Sequence, residues 1–391
     1  MQPYRMQFGI FMAPFHRKDE NPTLALRRDL DLISWLDDLG FDEVWAGEHH
    51  SGGWETSASP EVFLAAAGER TQRIRLGTGV VSLPYHNPFL VADRIVLLDH
   101  LTRGRAMLGV GPGALAADAS FLGLESTRQR EMMDESLGII MRLLNDDEPV
   151  TCETDWFDLH EAQLQLKPVQ RPLPVAVAST ISPAGMSCAG KHGVGVLSVA
   201  LYSEEGLMAM PTQWGFCETA AHEAGQPAPD RSRWRVVAPF HLAETKEQAI
   251  QDVMVGMKAW NNDYFVNTLG APFRTEVESG RTLAEDGAFG MFIGTPESAI
   301  AGIKRVQELS GGFGCFLGLA HEWADREKTL HSYELFARYV MPAFQDSLTW
   351  LDRSNEWTRA NKARLGSAGQ QAVVKAIQDH AAAHPQPSSG P

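Results

Sequence analysis

Residues 74–110 decide the fold: Ile74-Arg-Leu-Gly-Thr-Gly-Val-Val81, Ser-Leu-Pro-Tyr-His86, Asn87-Pro88-Phe-Leu-Val91-Ala-Asp-Arg-Ile95-Val-Leu-Leu98-Asp-His-Leu-Thr-Arg-Gly104, Arg-Ala106-Met-Leu-Gly-Val110. The first and last runs are apolar but too short for a helix, so they read as buried strands. Between them Asn87 can accept first-turn amides, and Pro88 lacks an amide that would otherwise go unpaired. Val91, Ile95 and Leu98 then share one helix face, and Gly104 stops the helix. A strand, a helix and a second strand in this order give a parallel pair, because the return crossover needs the helix.

The same grammar extends in both directions. Phe8 to Ala13, bounded by Pro14, is a strand, and Asn21-Pro22 opens a helix carrying Leu26, Leu30, Ile33 and Leu36 up to Gly40. Glu43 to Ala46 is a strand, and Ser59-Pro60 starts a helix. Beyond Val110 a helix is predicted from about Ser126 to Leu144. Strands follow at Pro174–Ala178, Val194–Ala200 and Trp234–Leu242, with a short helix from Ser182-Pro183. Thr295-Pro296 opens a helix through Val306, Gly311-Gly312 close it, and Phe313–Leu319 is the last strand. A helix from Arg326 to Tyr339 ends at Pro342. Eight strands in such alternation favour closure into a (β/α)8 TIM barrel with insertions at its C-terminal face, spanning residues 1–345. Asn261 to Ala288 breaks the rhythm and reads as a lid-like insertion holding Phe265 and Phe273. Residues 346–391 form a helical or disordered tail, a loose helix and then disorder being expected from about Ser367.

Composition narrows the partners. The chain has 391 residues, 44% apolar, and a net charge of −15 from 49 acidic against 34 basic side chains. Such a surface repels phosphate backbones and anionic lipid, so neither nucleic acid nor a membrane is an expected partner. Cys152, Cys188, Cys217 and Cys315 stand far apart without a C-x-x-C pair, so no zinc knuckle is expected. No apolar leader precedes the first strand, and free thiols suit a cytoplasmic protein.

Function in a barrel collects at the carboxyl ends of the strands. Glu48-His49-His50 follows the second strand. Neighbouring side chains point to opposite faces, so the two histidines cannot share one metal, and no H-E-x-x-H spacing exists. One of them can serve as a general base or orient a substrate; the plainer reading is an imidazole hydrogen-bonded in a loop. Gly77-Thr-Gly79-Val80 ends the third strand, where glycine allows close approach of a flat ligand or an ordinary strand exit. Gly109-Val-Gly111-Pro112-Gly113-Ala114 fits G-x-G-x-x-A, but Pro112 removes a needed amide, and a dinucleotide fold is rejected. Ser179-Thr180-Ile-Ser182-Pro183 offers hydroxyls and free amides at a helix start, a phosphate cradle or a simple cap by Ser182. Arg130 is the candidate cation for it, or else a solvated helix arginine.

Taken together, Leu83-Pro-Tyr-His-Asn-Pro88, Asp99-His-Leu-Thr-Arg-Gly-Arg105, Gly109 to Gly113, Glu48-His49-His50 and Ser332-Tyr-Glu-Leu-Phe-Ala-Arg-Tyr-Val-Met-Pro342 resemble the bacterial luciferase-like flavin-dependent monooxygenases over residues 6–345. Within that family the chain is most similar to limonene 1,2-monooxygenase-like proteins. The resemblance implies reduced FMN, with FAD as the alternative, at the barrel mouth, and oxygen transfer through a flavin C4a-hydroperoxide. It implies His49 as the catalytic histidine, with Glu48 or His50 setting its tautomer. It places a non-prolyl cis peptide at Gly79-Val80 beneath the flavin ring. Ser179, Thr180 and Ser182 would form the phosphate loop, with Arg130 beside it at a fixed spacing from Gly111. Bacterial luciferase has Cys-Arg where this chain has Gly111-Pro112, so one phosphate contact and a reactive thiol are missing, and light emission is not expected.

The function implied is oxygenation of a small hydrophobic substrate by reduced flavin and O2, with epoxidation of a terpene-like alkene favoured. No nicotinamide site is visible, so an NAD(P)H-dependent flavin reductase would supply the reduced flavin. The resemblance also implies a homodimer through helices near the second to fourth strands. Two alternatives share the barrel: a deazaflavin-dependent hydride-transfer enzyme, separable by its indifference to oxygen, and a flavin-binding protein without turnover.

Overall fold

The computed structural model describes residues 4–13, 15–201, 203–271, 274–286 and 291–384. Pro14, Phe273, the last residue of the expected insertion (Ala288) and the chain end beyond residue 384 therefore lie outside the described residues. The eight barrel strands are β1 (Gln7–Met12), β2 (Glu43–Ala46), β3 (Arg75–Thr78), β4 (Ala106–Gly111), β5 (Val175–Ser179), β6 (Gly195–Ser198), β7 (Trp234–Pro239) and β8 (Cys315–Leu319). They pair in parallel around the ring. β1 lies between β2 and β8, β7 between β8 and β6, and β5 between β6 and β4. The pairs Leu76–Ala106 and Gly77–Met107 between β3 and β4, with β2 against β3, close the barrel.

Nearly every strand residue is buried, as parallel sheets covered on both faces require. Inside, Trp45 is fully buried and sets the composition of its neighbours. A Cβ at Gly77 would stand 2.5 Å from the Trp45 ring, and one at Gly109 would stand 2.1 Å from the Thr78 carbonyl. Both glycines thus answer to packing within the barrel. At the amino end, Glu43 takes two contacts from Arg235, at 2.6 and 2.8 Å, and a third from Trp45 Nε1 at 2.9 Å. The guanidinium lies over the Trp45 ring. Burial pushes the Glu43 carboxyl up, but the charge and hydrogen bonds of Arg235, with Arg75 and Trp45, together outweigh it and hold the group below the ordinary glutamate value.

The outer helices are α1 (Pro22–Leu39), α2 (Pro60–Gly68), α3 (Pro88–Leu101), α4 (Gln129–Asn145), α5 (Pro183–His192), α6 (Glu204–Glu223), α7 (Lys246–Ala259), α8 (Pro296–Ser310) and α9 (Arg326–Leu335). Asn21 and Asn87 cap α1 and α3 through their side chains, and Gly40 leaves α1 at φ 86°. Thr295 and Ser298 form a reciprocal capping box on α8. Several boundaries differ from expectation. The run Trp234–Leu242 breaks at Phe240, and His241–Leu242 pairs with Ile293–Gly294 instead of continuing β7. The helix expected through Tyr339 changes its winding after Leu335, passing into a π-helical turn at Phe336–Val340. An antiparallel hairpin, Val150–Glu153 with Asp158–Ala162, sits between α4 and β5 where no strand was expected.

After α7 the chain runs into a π-helical segment, Trp260–Val266, and later a short helix, Gly280–Glu285. Trp260 and Ala284 join the same apolar cluster as Trp45, Leu197 and Leu317, so this insertion is packed onto the barrel. The chain divides into two compact units, residues 1–341 and 342–391. The second comprises the helices Thr349–Ala360 and Lys362–Ala383, whose regular course to Ala383 replaces the loose helix expected from Ser367.

Candidate active site

Four strand ends build the site. Gly79 follows β3, its amide donating to the Ala46 carbonyl at the end of β2 over 2.6 Å, and the peptide from Gly79 to Val80 is cis. Val80, Gly111 and Pro112 then line a cavity of about 840 Å³. Thr180, Ser182, Arg130 and Lys191 also line it. Lys191 and His192 are both paired with Asp134, at 2.5 and 2.8 Å. Arg130 has no acidic partner among the described residues, so its charge is available to an anion in the cavity. Ser182 is the N-cap residue of α5, yet its side chain makes no cap hydrogen bond. The expectation of a simple cap is thereby corrected: the backbone turns into the helix without the hydroxyl, which is left facing the cavity. Ser179 is buried behind these residues, its hydroxyl directed at the Thr180 carbonyl at 3.4 Å, and Gly79 likewise is not part of the lining.

The cavity suits a phosphorylated planar cofactor of the FMN type. Its lining combines apolar and glycine positions, Val80, Gly111 and Ala178, with the Arg130 guanidinium, the Thr180 and Ser182 hydroxyls and the start of α5. Gly111 is required by the protein itself, since a Cβ there would stand 2.6 Å from Val80 Cγ2.

His49 lies three residues past β2, its amide bonded to the Ser57 carbonyl. Its Nε2 stands 2.7 Å from Glu55 Oε2 as a close ion pair, off the line of a hydrogen bond, and its Nδ1 is 3.4 Å from Asp118 Oδ2. Burial alone would push this imidazole down; Glu55 and then Asp118 outweigh it and hold its pKa above the ordinary histidine value. Glu48 faces elsewhere. It accepts from the Ser82 amide at 2.6 Å and contacts His86 Nε2 at 2.6 Å and His50 Nε2 at 3.1 Å. The expected setting of the His49 tautomer by Glu48 or His50 is therefore corrected. Alternation along the chain turns their side chains away, and residues from two other segments do the work. Glu48, His50 and His86 instead brace the loop after the cis peptide.

Glu55, Asp118 and Tyr264 were missed in the sequence. Asp118 sits on the short helix Ala116–Phe121, and Tyr264, in the insertion, donates to Glu55 Oε1 at 2.6 Å. No spacing rule joins positions 49, 55, 118 and 264; only the placement of Asp118 soon after a strand end carried any signal. A second cavity, of about 740 Å³, opens on the β1 and β8 side and is walled by Met12, Phe15, Trp54 and Trp260. Among the described residues no helix is long and apolar enough to cross a membrane.

An anion-ready cavity and a carboxylate-clamped imidazole, both at the carboxyl ends of barrel strands, are the layout of a barrel enzyme that works on a bound cofactor. The chain belongs to the luciferase-like monooxygenase family, whose model matches residues 6–311. It is 46% identical over 368 residues to 4-hydroxyprotoasukamycin monooxygenase of Streptomyces nodosus subsp. asukaensis, covering 93% of this chain and 99% of that one. It is 48% identical over 344 residues to limonene 1,2-monooxygenase of Rhodococcus erythropolis, covering 88% of each. Among solved structures it is similar to the oxygenating constituent of 3,6-diketocamphane monooxygenase of Pseudomonas putida, a Type II Baeyer-Villiger monooxygenase in complex with FMN. The TM-score is 0.72 at 25% identity, over 87% of this chain and 99% of that one.

Proposed function

We propose that this protein is a flavin-dependent monooxygenase that uses reduced FMN and O2 to oxygenate a small hydrophobic substrate, with epoxidation of a terpene-like alkene as the favoured reaction. The observation that carries the reading is one cavity lined by Val80 and Gly111 together with Thr180, Ser182 and Arg130. Its apolar lining suits a ring and its guanidinium and hydroxyls a phosphate, and the relatives named above are monooxygenases by name. Arg130 and the two hydroxyls would hold the phosphate, while Val80 and Gly111 would bear on the ring. When bound, the reduced flavin supplies the two electrons and the site of oxygen activation.

The chain supplies the rest. Phe15, Trp54, Tyr264 and Phe265 pack edge to face or tilted against one another beside the mouth, an aromatic wall suited to an alkene or ketone and to the exclusion of water. His49, its pKa held above the ordinary histidine value by its carboxylates, is the group that gives and takes back a proton during oxygen transfer. We place the protein in the cytoplasm, supplied with reduced flavin by an NAD(P)H-dependent reductase. We also propose a homodimer, supported by the exposed apolar row Leu90, Leu97 and Leu101 on α3 with Val62 on α2.

The test supplies the purified protein with a flavin reductase, NADH, FMN and 18O2, and offers limonene and related alkenes and ketones. One labelled oxygen atom in the product, lost when the reductase or O2 is omitted, is the expected result. Rapid NADH oxidation by the protein alone with flavin would overturn the two-component arrangement. Flavin reoxidation without any labelled product across the substrate series, with FMN and then FAD, would overturn the monooxygenase.

A further inference from the structure

The insertion reaches the histidine through one side chain. Tyr264 is almost fully buried, packed edge to face on Phe15 at 5.1 Å and tilted against Trp54 at 5.6 Å, and its hydroxyl donates to Glu55 Oε1. Trp54 Nε1 in turn donates to Thr268 Oγ1 at 3.3 Å, a second tie between the insertion and the loop that carries Glu55. A bridge between Phe15 and Glu55 fixes that loop to the end of β1. Glu55 is thus held from three sides, and its remaining oxygen stands 2.7 Å from His49 Nε2.

The other carboxylate is held differently. Asp118 Oδ1 is already committed to the His50 amide at 3.2 Å and to the Ser51 hydroxyl, and its Oδ2 stands 3.4 Å from His49 Nδ1. The nearer and less committed charge has the greater pull on a ring proton. The remaining titratable groups nearby, Glu48, His50 and His86, are paired with one another, and Lys18 lies over the outer Trp54 ring.

We infer that Glu55 and Tyr264 are positioning residues for His49: seated by the insertion, Glu55 anchors Nε2 and holds the neutral ring's proton there, while Asp118 faces Nδ1. This rests on the function proposed above only for what the proton is used for; the anchoring itself needs neither flavin nor substrate. The arrangement makes the proton chemistry of His49 depend on the insertion being in place, since removal of Tyr264 from Glu55 takes away the donor that fixes the anchor.

The test is a pH titration of the protein labelled with 15N-histidine, following the ring nitrogens of His49, assigned by their loss in His49→Gln. The expected neutral ring carries its proton on Nε2. Glu55→Gln lowers the His49 pKa by about one unit or more and moves the proton of the neutral ring to Nδ1, where Asp118 then has the stronger pull. Asp118→Asn leaves the proton on Nε2. Tyr264→Phe keeps the ring packing and turns the neutral form into a mixture of tautomers. A neutral ring protonated on Nδ1 in the unaltered protein, or a pKa and tautomer unmoved by Glu55→Gln in a variant of unchanged circular dichroism, would overturn the anchoring. An effect of Glu55→Gln but none of Tyr264→Phe would overturn the part given to the insertion. In turnover, Glu55→Gln lowers kcat about 100-fold with KM little changed, and a change in KM alone would count against a proton role. If the ring behaves as expected while no oxygenation is found in the unaltered protein, the functional reading fails and the anchoring stands.

Discussion

Arg130 and His49 show what a single charge does at a barrel mouth when its surroundings differ. Arg130 faces the cavity without an acidic partner among the described residues, so an anion entering there meets an uncompensated guanidinium. Arg130→Ala should weaken binding of reduced FMN by about 10- to 100-fold, the size of a lost charge-assisted hydrogen bond. Flavin fluorescence titration under anaerobic conditions measures it, and an unchanged affinity would place the phosphate elsewhere. Riboflavin, which lacks the phosphate, should bind equally to both proteins. His49 is the opposite case, an imidazole flanked by two carboxylates. Its pKa lies above the ordinary histidine value, so the stabilisation from its two carboxylates is fully present below about pH 6.5. That stabilisation is lost as pH rises through the higher folded value. His49→Gln should therefore cost more stability at pH 6 than at pH 9, as read from urea midpoints at the two pH values. A constant difference would show that the imidazolium adds nothing.

At the scale of elements, the barrel was legible because each crossover carries its own punctuation. Asn-Pro or Thr-Pro at helix starts and glycine at several ends recur through the chain, and those signals depend only on neighbours along the sequence. The hairpin between α4 and β5 was not, since its strands are short, carry few fully buried residues, and lose their alternation at Glu161. The carboxylates around His49 escaped for a related reason: Glu55, Asp118 and Tyr264 come from three segments whose meeting is a property of barrel closure. The glycines at the ends of β3 and β4 were legible as special positions but open as to cause. The structure assigns Gly77 to the room that Trp45 needs inside the ring, and Gly109 to the close approach of the Thr78 carbonyl. Gly77→Ala accordingly should cost about 1–3 kcal/mol, the penalty of overpacking a filled core. Thermal and urea unfolding would measure it. Trp45→Phe in the same background should recover part of the loss, and no recovery would mean the strain lies in the backbone.

For the whole molecule, two arrangements set the assembly and its durability. The apolar row on α3 and α2 places Leu97 and Leu101 more than half exposed on one face. If a second copy covers it, Leu97→Glu with Leu101→Glu should convert a dimer to a monomer in light scattering without altering the far-ultraviolet spectrum; a dimer that survives both charges uses another face. The buried Glu43–Arg235 pair joins β2 to β7 across the amino end of the ring, where no solvent can replace either partner. Removing one member strands the other charge, so Arg235→Met should cost about 3–5 kcal/mol. Joint replacement by Glu43→Gln and Arg235→Met should cost less, because the introduced amide oxygen would still accept from Trp45 and no net charge would remain buried. Since Glu43 titrates below its ordinary value, the stability it contributes is present above the unfolded glutamate pKa of about 4.3. That contribution disappears as pH falls through the lower folded value. The unaltered protein should accordingly lose stability steeply on acidification through this range, and the double variant less so. Parallel acid transitions in the two proteins would show that other carboxylates, and not this pair, govern acid unfolding of the barrel.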